Sequence, residues 1–464
     1  MASARQVNAG RSTPVRITVE QLGLARRLSA LDTAGPVNVE IINTGSELLL
    51  GAVLNTHQQW LCEQLAAHGY VVDRQVAIAD SGPAIEQAVR ESLARADCVI
   101  TTGGLGPTSD DLTRDRIAAL LHRALHEDAD VLAHVEQFFQ ARRRPVPPAT
   151  RVQALVPEGA LVLANPHGTA PGLVIEVKPN QFRADGRPSW LVMLPGPPRE
   201  LYPMFTAKVL PLLRQVLPRP PQFVCCTLRS TGIGESVVEE QIAAPLKPLV
   251  DLGLELGYCA RTGEVDVRLS ASGDDAARLV GQAEDIVRRL IGKHIFGSGD
   301  DTLEAVVVRL LAERRRTLVL AESCTGGFMA HRITNVPGAS AVFFGGLVTY
   351  SNEAKRQLLG VRAETLAAHS AVSEAVAREM AEGARVKWGT DYALSVTGIA
   401  GPTGASPAKP VGTVFIALAK AGETVALHSF NPFDRETFKF VTSQQALELL
   451  RQELLETAGA SEQA

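Results

Sequence analysis

The sequence predicts an α/β protein in which two three-layer α/β domains with mostly parallel sheets are joined by a small α+β module. Short apolar segments that end in glycine turns alternate with segments of helical period over residues 37–217 and again over 302–456. This alternation is typical of parallel sheets with helical crossovers. The chain has 464 residues, 45% hydrophobic and 21% charged, which is enough for two or three globular cores.

Three strand–helix units in succession open the first domain. The segment VNVEIINTG is followed by a helical stretch over 55–68, and the segment 70–78 is followed by a helix whose Ile85, Val89 and Leu93 recur on one face. DCVITTGGLG begins the third unit. In parallel sheets ligands bind beyond the carboxyl ends of the strands, and both glycine turns fall there.

Changes in composition set the domain boundaries. Residues 1–36 contain five arginines and no sustained period, so we interpret them as a flexible leader, and the proline-rich LPRPPQ ends the first domain near residue 217. Residues 222–298 form the small module, in which EVDVRLSAS alternates like a half-buried strand. GSGDD is interpreted as the linker to the second α/β domain, and a loose tail is expected after residue 456.

Charge and cysteine content narrow the class of function. A formal net charge of -4 gives no reason to expect nucleic acid as a partner. The six cysteines include no CxxC pair, which indicates neither a disulfide framework nor a zinc site. No apolar run approaches the roughly 18 residues of a membrane span, and no secretory signal is recognisable. We therefore expect a cytoplasmic protein that acts on small molecules, with no membrane partner.

The segment TLVLAESCTGG places Ser323 at a turn between a predicted strand and a predicted helix. A serine hydroxyl in this position suits an acyl-transfer nucleophile, because the free amides at the start of the helix can hold a developing oxyanion. The alternative is that Ser323 is a simple helix N-cap.

The motifs that follow Ser323 are ordered and specific. They are NVPGASAVFFGG, VTYSNEAK and VTGIAGPTGASPAKPVGTV. Over about 140 residues this region resembles the C-terminal domain of the CinA family, the nicotinamide mononucleotide deamidase domain. The resemblance implies a serine nucleophile at Ser323, a tyrosine and a lysine at Tyr350 and Lys355, and Ser340 as a further polar member. Without it, a tyrosine five residues before a lysine would be interpreted as a surface lysine beside a half-buried tyrosine.

The implied reaction is attack of Ser323 on the carboxamide of nicotinamide mononucleotide, loss of ammonia and hydrolysis of the acyl-enzyme to nicotinate mononucleotide, without a metal. Lys355 must then be neutral, which requires burial or a nearby positive charge, and Tyr350 is expected to relay the proton or orient the amine. The residues expected to bind the substrate are Thr325, Gly326, Gly327, Thr397, Gly398, Gly401 and Arg435.

Among these residues, Arg435 is the expected contact for the substrate phosphate, since a guanidinium pairs with two oxygens. Its alternative partners are a helix end or a carboxylate. The chain departs from the family pattern at Ala405, where glycine is usual, and at Lys439, where a second arginine is usual.

A second set of motifs lies in the first domain and resembles the molybdopterin-binding-like domain of CinA proteins. The motifs are NTGSELLLG, TTGGLGPTSDDLT, QALVPEGA, GTAPG and MLPGPP. The resemblance implies a metal-dependent ADP-ribose pyrophosphatase with Mg²⁺ or another divalent cation on Asp110 and Asp111. The other residues expected at this site are Glu47, Asn55, Gly103, Gly104 and Gly106.

Three alternatives remain open at this stage. The aspartate pair also fits a charged helix start, the first domain can bind a pterin or nucleotide without turning it over, and the protein can be a competence-linked interaction protein. The middle module resembles the KH-like insert of the family but lacks the GXXG clamp for RNA. The resemblance also implies a homodimer.

Overall fold

The structure is a computed structural model that describes residues 37–461, with side chains described through residue 456. The predicted leader, residues 1–36, lies outside the described residues. The chain divides after Phe223 into two compact units, which are described separately. Within the described residues, no helix is both long and apolar enough to cross a membrane.

The first unit contains a six-stranded sheet and a separate two-stranded sheet. The strands of the larger sheet are β1 (Val39–Thr44), β2 (Val72–Ile78), β3 (Cys98–Thr102), β6 (Leu161–Leu163), β7 (Gly172–Val177) and β8 (Ser189–Leu194), and β4 (Leu125–Glu127) pairs with β5 (Leu155–Pro157) in the smaller one. The order in the larger sheet is β2-β1-β3-β8-β7-β6. In it β1 pairs in parallel with β2 and β3, β3 pairs in parallel with β8, and β7 is antiparallel to β8 and β6.

Helices cover both faces of this sheet. Because successive strand residues point to opposite faces, Ile41 packs into one apolar core and Ile42 into the other. The predicted face of Ile85, Val89 and Leu93 is buried in the second core. The helices are α1 (Ser46–Leu49), α2 (Thr56–Ala66), α3 (Gly82–Leu93), α4 (Thr113–Leu120), α5 (Ala129–Ala141), α6 (Pro198–Met204) and α7 (Leu210–Val216), with a 3-10 helix at Pro148–Ala154 and a π-helical turn at Phe205–Val209.

The second unit begins with the small α+β module. Its strands are β9 (Phe223–Thr231), β10 (Glu255–Arg261), β11 (Glu264–Ser272) and β12 (Ile295–Ser298). They form a sheet in the order β10-β11-β9-β12, and helices α8 (Glu235–Val250) and α9 (Ala276–Ile291) pack on it. Strand β11 is buried on both faces rather than half-buried as predicted, because Glu264 and Asp266 form ion pairs with Arg229 on the face that the pattern assigned to solvent.

The remaining part of the second unit is a five-stranded sheet between helices. Its elements are β13 (Leu318–Glu322), β14 (Phe343–Val348), β15 (Tyr392–Gly398), β16 (Thr413–Lys420), β17 (Glu423–Phe430), α10 (Leu303–Glu313), α11 (Phe328–Thr334), α12 (Asn352–Leu359), α13 (Ala363–His369), α14 (Glu374–Trp388) and α15 (Arg435–Ser461), with 3-10 turns at Gly292–His294 and Ala339–Ala341. The strand order is β14-β13-β15-β16-β17. Strand β13 pairs in parallel with β14 and β15, whereas β16 is antiparallel to β15 and β17. The two large sheets and their helices confirm the predicted α/β fold class.

The end of the chain differs from the prediction. Helix α15 continues to Ser461, so the loose tail expected after residue 456 is wrong for residues 457–461. Leu447, Leu450 and Leu454 are fully buried on one face of α15 and anchor its late turns to the core, which lets the helix propagate beyond them.

Candidate active site

Ser323 follows β13 directly at the carboxyl edge of the sheet. Its backbone N–H donates to Val396 O at 3.0 Å, which fixes the residue to the neighbouring strand β15. The chain then reverses through Gly326 and Gly327, whose φ angles are 62° and 93°. Only glycine adopts this left-handed region at low cost, so the TGG sequence permits a tight turn between β13 and α11.

Lys355 lies beside the Ser323 hydroxyl. Its Nζ is 3.0 Å from Ser323 Oγ and donates to Thr349 O at 2.8 Å and to Tyr350 O at 3.4 Å. The side chain is only 1% exposed, so the surface-lysine interpretation is wrong. Burial lowers the pKa of the Lys355 amine, while the thiol of Cys324 acts weakly in the opposite direction.

Local structure explains how the two residues meet. Strands β13 and β14 run in parallel with Glu322 opposite Val348, and Thr349 N–H donates to Glu322 O at 2.7 Å. The chain therefore leaves β14 next to Ser323. Ser351 then caps α12 through its side chain, which accepts from Ala354 N–H. Lys355 stands one turn into that helix, and its long side chain returns to the sheet edge.

Glu322 is a site residue that the sequence reasoning missed. Its buried carboxylate accepts from the N–H groups of Gly327 at 3.0 Å, Met329 at 3.1 Å and Ala330 at 2.9 Å. A carboxylate at a helix N-terminus is favourable because it meets unpaired N–H groups and the positive end of the helix dipole. The available signal was an acidic residue between an apolar strand and a glycine turn.

This arrangement corrects two predictions about the turn. Glu322 caps the start of α11, so Ser323 is not the N-cap, and the amides at the helix start that were expected to hold an oxyanion are occupied. Among residues 323–327, the N–H groups of Cys324 and Thr325 donate to no protein oxygen, and the Cys324 sulfur is the acceptor beside them. Thr325 is fully buried, and its Oγ1 also has no protein partner.

Tyr350 has a different partner from the predicted one. Its side chain is exposed and its hydroxyl accepts from Arg435 Nη2 at 2.9 Å, so it bonds neither to Lys355 nor to Ser323. No hydrogen bond supports the expected proton relay through the phenol, and the Tyr350 atom that contacts the Lys355 amine is its carbonyl oxygen. Arg435 also donates to Gly401 O at 2.9 Å, rather than to a carboxylate or to the end of another helix.

Two predicted residues do not face the dyad of Ser323 and Lys355. Ser340 is exposed and precedes the amino end of β14, whereas Ser323 follows the carboxyl end of the parallel strand β13. A strand of this length separates the two ends by about 16 Å, so Ser340 is not part of this site. Thr397 is buried and its hydroxyl donates to Ala371 O at 2.8 Å, so this hydroxyl does not face a ligand.

Gly398 ends β15 and Gly401 lies in the loop after it, and both pack closely against residues 411–414. A Cβ at Gly398 would lie 2.8 Å from Thr413 O, and one at Gly401 would lie 2.6 Å from Val411 Cγ1, so both positions require glycine. The two residues that depart from the family pattern, Ala405 and Lys439, lie at the periphery of the site. Ala405 is exposed, and Lys439 Nζ lies 5.7 Å from the ring centre of Phe328.

In the first unit, the turn after β3 leaves several backbone amides without a protein acceptor. Gly103 and Gly104 have φ angles of 93° and 67°, and a Cβ at Gly103 would lie 2.7 Å from Thr44 Oγ1. Among the described residues, no protein acceptor faces the N–H groups of Gly104, Leu105 and Gly106. Three successive free amides are suited to phosphate oxygens, whereas the N–H of Gly103, also expected at this site, donates to Leu194 O at 2.9 Å.

The predicted acidic residues of this site are partly engaged by the chain itself. Asp111 accepts from the backbone and the hydroxyl of Thr108. Asp110 is exposed, and a hydrogen bond from Thr108 lowers the pKa of its carboxyl. Glu47 is exposed and folds back towards Gly45. Within residues 37–461 there is no group of three or more His, Cys, Asp or Glu that could hold a metal.

The predicted Asn55 caps α2 by accepting from Gln58 N–H at 3.2 Å, which gives it a structural role. Other polar atoms near the glycine turn were not indicated by the sequence. Asn43 Oδ1, His57 Nδ1, Thr113 Oγ1 and Gln153 Oε1 are buried without a protein partner. They come from four different elements, and no local motif could have indicated them.

Comparison with known proteins covers nearly the whole chain. Residues 300–454 match the family described as "CinA C-terminal domain", residues 40–215 the "Probable molybdopterin binding domain", and residues 226–297 the "Damage-inducible protein CinA KH domain".

Similar full-length relatives include the CinA-like protein of Gemmatimonas aurantiaca, 41% identical over 91% of this chain and 98% of that protein. The CinA-like protein of Akkermansia muciniphila is 44% identical over 89% of this chain and 96% of that protein. A crystal structure of a competence-damaged protein (CinA) superfamily member from Klebsiella pneumoniae is 39% identical, with a TM-score of 0.33, and covers 33% of this chain and 96% of that one.

Proposed function

This chain belongs to the CinA family, and on that premise we propose that its C-terminal region hydrolyses nicotinamide mononucleotide to nicotinate mononucleotide and ammonia. The observation that carries the proposal is the 3.0 Å separation of Lys355 Nζ and Ser323 Oγ at a buried position. A serine hydroxyl needs an adjacent base to attack an amide, and Lys355 is the titratable group in contact with it.

The hydrogen bonds of Lys355 suit a base that alternates between two protonation states. A neutral amine has two N–H groups and one lone pair, and Lys355 is surrounded by two carbonyl oxygens and one hydroxyl. The two carbonyls can accept the N–H groups while the lone pair faces Ser323. After protonation the same three neighbours accept the three ammonium protons, so no rearrangement is needed during turnover.

The reaction follows from this geometry. Lys355 takes the hydroxyl proton as Ser323 Oγ forms a bond to the carboxamide carbon. The N–H groups of Cys324 and Thr325, which meet only the weak sulfur acceptor of Cys324, are the donors for the resulting oxyanion. When the tetrahedral intermediate collapses, the C–N bond breaks and Lys355 gives its proton to the leaving nitrogen, which departs as ammonia. Water then cleaves the Ser323 ester, with Lys355 again accepting the proton and returning it to the serine.

Arg435 supports recognition of a phosphorylated substrate. Its guanidinium is held between Gly401 O and the Tyr350 hydroxyl, next to the loop that follows β15. Lys439 lies one turn further along α15, on the same face as Arg435, and so keeps a positive charge where the family usually has a second arginine. We assign the phosphate of the mononucleotide to Arg435, with Tyr350 as a second polar contact.

Ammonia release tests the proposal. The wild type should release ammonia from nicotinamide mononucleotide, and Ser323→Ala should abolish release while the circular dichroism spectrum and melting temperature remain those of the wild type. Ser340→Ala is the matched control, because this exposed serine lies at the other end of the sheet and should leave the rate unchanged. Absence of release from folded wild type would contradict the proposal and favour an interaction protein.

For the first unit we propose a metal-dependent ADP-ribose pyrophosphatase that yields AMP and ribose 5-phosphate. Support comes from the three free amides of Gly104 to Gly106 and from the adjacent carboxylates of Asp110 and Asp111. Mg²⁺ commonly binds one or two carboxylates together with substrate phosphates, so the aspartate pair fits an ion held jointly with the diphosphate. When bound, such an ion would neutralise phosphate charge and activate water.

Formation of AMP from ADP-ribose tests this second activity. Production of AMP should require a divalent cation and should be lost in Asp110→Ala, whereas Asp115→Ala, in the following helix, is the control that should retain it. ADP-ribose binding without AMP formation would instead identify a binding module. We also expect, from the family resemblance, that the protein acts as a cytoplasmic homodimer.

A further inference from the structure

Buried polar atoms without a protein partner are concentrated around one turn of the first unit. Among the described side chains, seven buried nitrogen or oxygen atoms have no partner, and four of them belong to Asn43, His57, Thr113 and Gln153. Native proteins pair nearly all such atoms, because each unpaired one carries its desolvation cost. A concentration of them beside free backbone amides indicates groups kept available for a ligand.

Three of these side chains contact the end of β3 and the glycine turn that follows it, at Thr102, Gly104 and Leu105. Asn43 Nδ2 donates to Thr102 Oγ1 at 2.7 Å, and Gln153 Nε2 donates to Leu105 O at 3.4 Å. Thr113 lies against the intervening turn, where a Cβ on Gly104 would be 2.1 Å from its Oγ1. The side-chain NH2 groups of Asn43 and Gln153 therefore donate to the turn, whereas their carbonyl oxygens have no protein partner.

The fourth side chain approaches from another direction. His57 lies beside the Gly196 backbone, and burial lowers the pKa of its ring. A Cβ on Gly196 would be 3.8 Å from the Cα of Gly103. The loop after β8 and the start of α2 thus lie on the same turn as the other three.

The kind of atom left unpaired restricts the ligand. The amides of Gly104 to Gly106 are donors and suit the oxygens of a phosphate, which only accepts when ionised. The amide oxygens of Asn43 and Gln153 are acceptors, and the ionised diphosphate of a diester, which carries no proton, cannot satisfy them. The ligand must therefore carry O–H or N–H donors next to its phosphate.

We infer that Asn43, Thr113 and Gln153 are specificity-determining residues that bind hydroxyl or amino donors of a phosphate ester, while the glycine turn binds the phosphate itself. The inference deepens the proposed pyrophosphatase site and rests on it for the location of the phosphate. Its ligand class is a sugar or nucleoside phosphate, as opposed to inorganic phosphate or diphosphate.

Thr113→Val is the sharpest variant, because it removes only the unpaired hydroxyl from a side chain with no exposed surface. A hydroxyl that has no protein partner adds nothing to folding, so the melting temperature should stay the same or rise. Loss of one ligand hydrogen bond should weaken ADP-ribose binding about five- to tenfold. Gln153→Met should have the same effect on binding.

Isothermal titration of the full-length protein with ADP-ribose, ribose 5-phosphate and inorganic diphosphate provides the measurement. We expect both variants to weaken ADP-ribose binding and to change diphosphate binding less than twofold. A parallel loss for ribose 5-phosphate assigns the donors to the sugar, and retention assigns them to the base. Thr101→Val is the matched control: its hydroxyl donates to Val192 O at 3.5 Å, so it should cost some stability and leave affinity unchanged.

The outcomes separate this inference from the proposed function. Unchanged ADP-ribose affinity in both variants, or an equal loss for diphosphate, would overturn the specificity role while leaving the site in place. Wild type that binds ADP-ribose but forms no AMP would remove the pyrophosphatase proposal and preserve the inference if the variants still discriminate. Wild type that binds none of the three probes would overturn both.

Discussion

Replacing Lys355 by methionine removes the amine that contacts Ser323 Oγ while keeping a side chain of similar length. Residues 37–461 offer no other titratable side chain in hydrogen-bond contact with this hydroxyl. General-base catalysis contributes about 10²- to 10⁴-fold, so kcat/KM for nicotinamide mononucleotide should fall by that factor, which corresponds to about 3–5 kcal/mol of transition-state stabilisation.

The same change should leave the protein folded. Methionine avoids burial of an ionisable group, although it leaves Thr349 O and Tyr350 O without the Nζ donor. These effects oppose each other, and each is about 1–3 kcal/mol. The free energy of unfolding should therefore change by no more than about 2 kcal/mol, as measured by urea denaturation.

Lys355→Arg distinguishes a base from a fixed positive charge. A guanidinium keeps the charge but does not give up its proton at any accessible pH. Lys355→Arg should thus be as inactive as Lys355→Met in the ammonia-release assay. Lys387→Met is the control, since this exposed lysine donates to Leu358 O away from the dyad. Activity within tenfold of wild type in Lys355→Met, or recovery in Lys355→Arg, would refute the assignment of Lys355 as the base.

Four further variants test the surroundings of the dyad. Glu322→Gln replaces a carboxylate that accepts three backbone N–H groups, and should lower the free energy of unfolding by about 2–4 kcal/mol in urea; an unchanged value would contradict its capping role. Arg435→Met should raise KM for nicotinamide mononucleotide by tenfold or more, with a smaller effect on kcat. Tyr350→Phe should act in the same direction but more weakly. A loss confined to kcat in Tyr350→Phe would instead support a proton relay through the phenol. Gly326→Ala should cost about 1 kcal/mol of unfolding free energy, because the residue has a φ of 62° and open space around its missing Cβ; a cost above about 3 kcal/mol would indicate a clash that the structure does not contain.

The sequence was most informative where hydrophobic period and glycine turns acted together. The α/β class, the strand before Ser323 and the helical face of Ile85, Val89 and Leu93 follow from residue spacing. The contact of Lys355 with Ser323 was expected only from the family resemblance, because residue spacing alone favoured a surface lysine. The structure adds the reason, which is that the parallel pairing of β13 and β14 brings the two strand ends together.

The errors arose where a residue's position depends on sheet register or on distant partners. Ser340 stands near Tyr350 in the sequence, yet strand β14 lies between them and carries them to opposite ends of the sheet. The role of Glu322 requires three backbone N–H groups to converge on one carboxylate, which no linear pattern records. The Tyr350 hydroxyl pairs with Arg435, a residue 85 positions away.

Titration of Lys355 in the free enzyme tests the central claim most directly. Carbon-13 labelling of lysine Cε gives one NMR signal per lysine, and the signal that disappears in Lys355→Met identifies this residue. Because burial lowers the pKa of Lys355 from the ordinary value of 10.5, its signal should titrate below that value. Since the base must be neutral, kcat/KM should rise with pH through the same pKa and then level off. A Lys355 that titrates at or above 10.5 while kcat/KM has already reached its plateau at lower pH would contradict the mechanism.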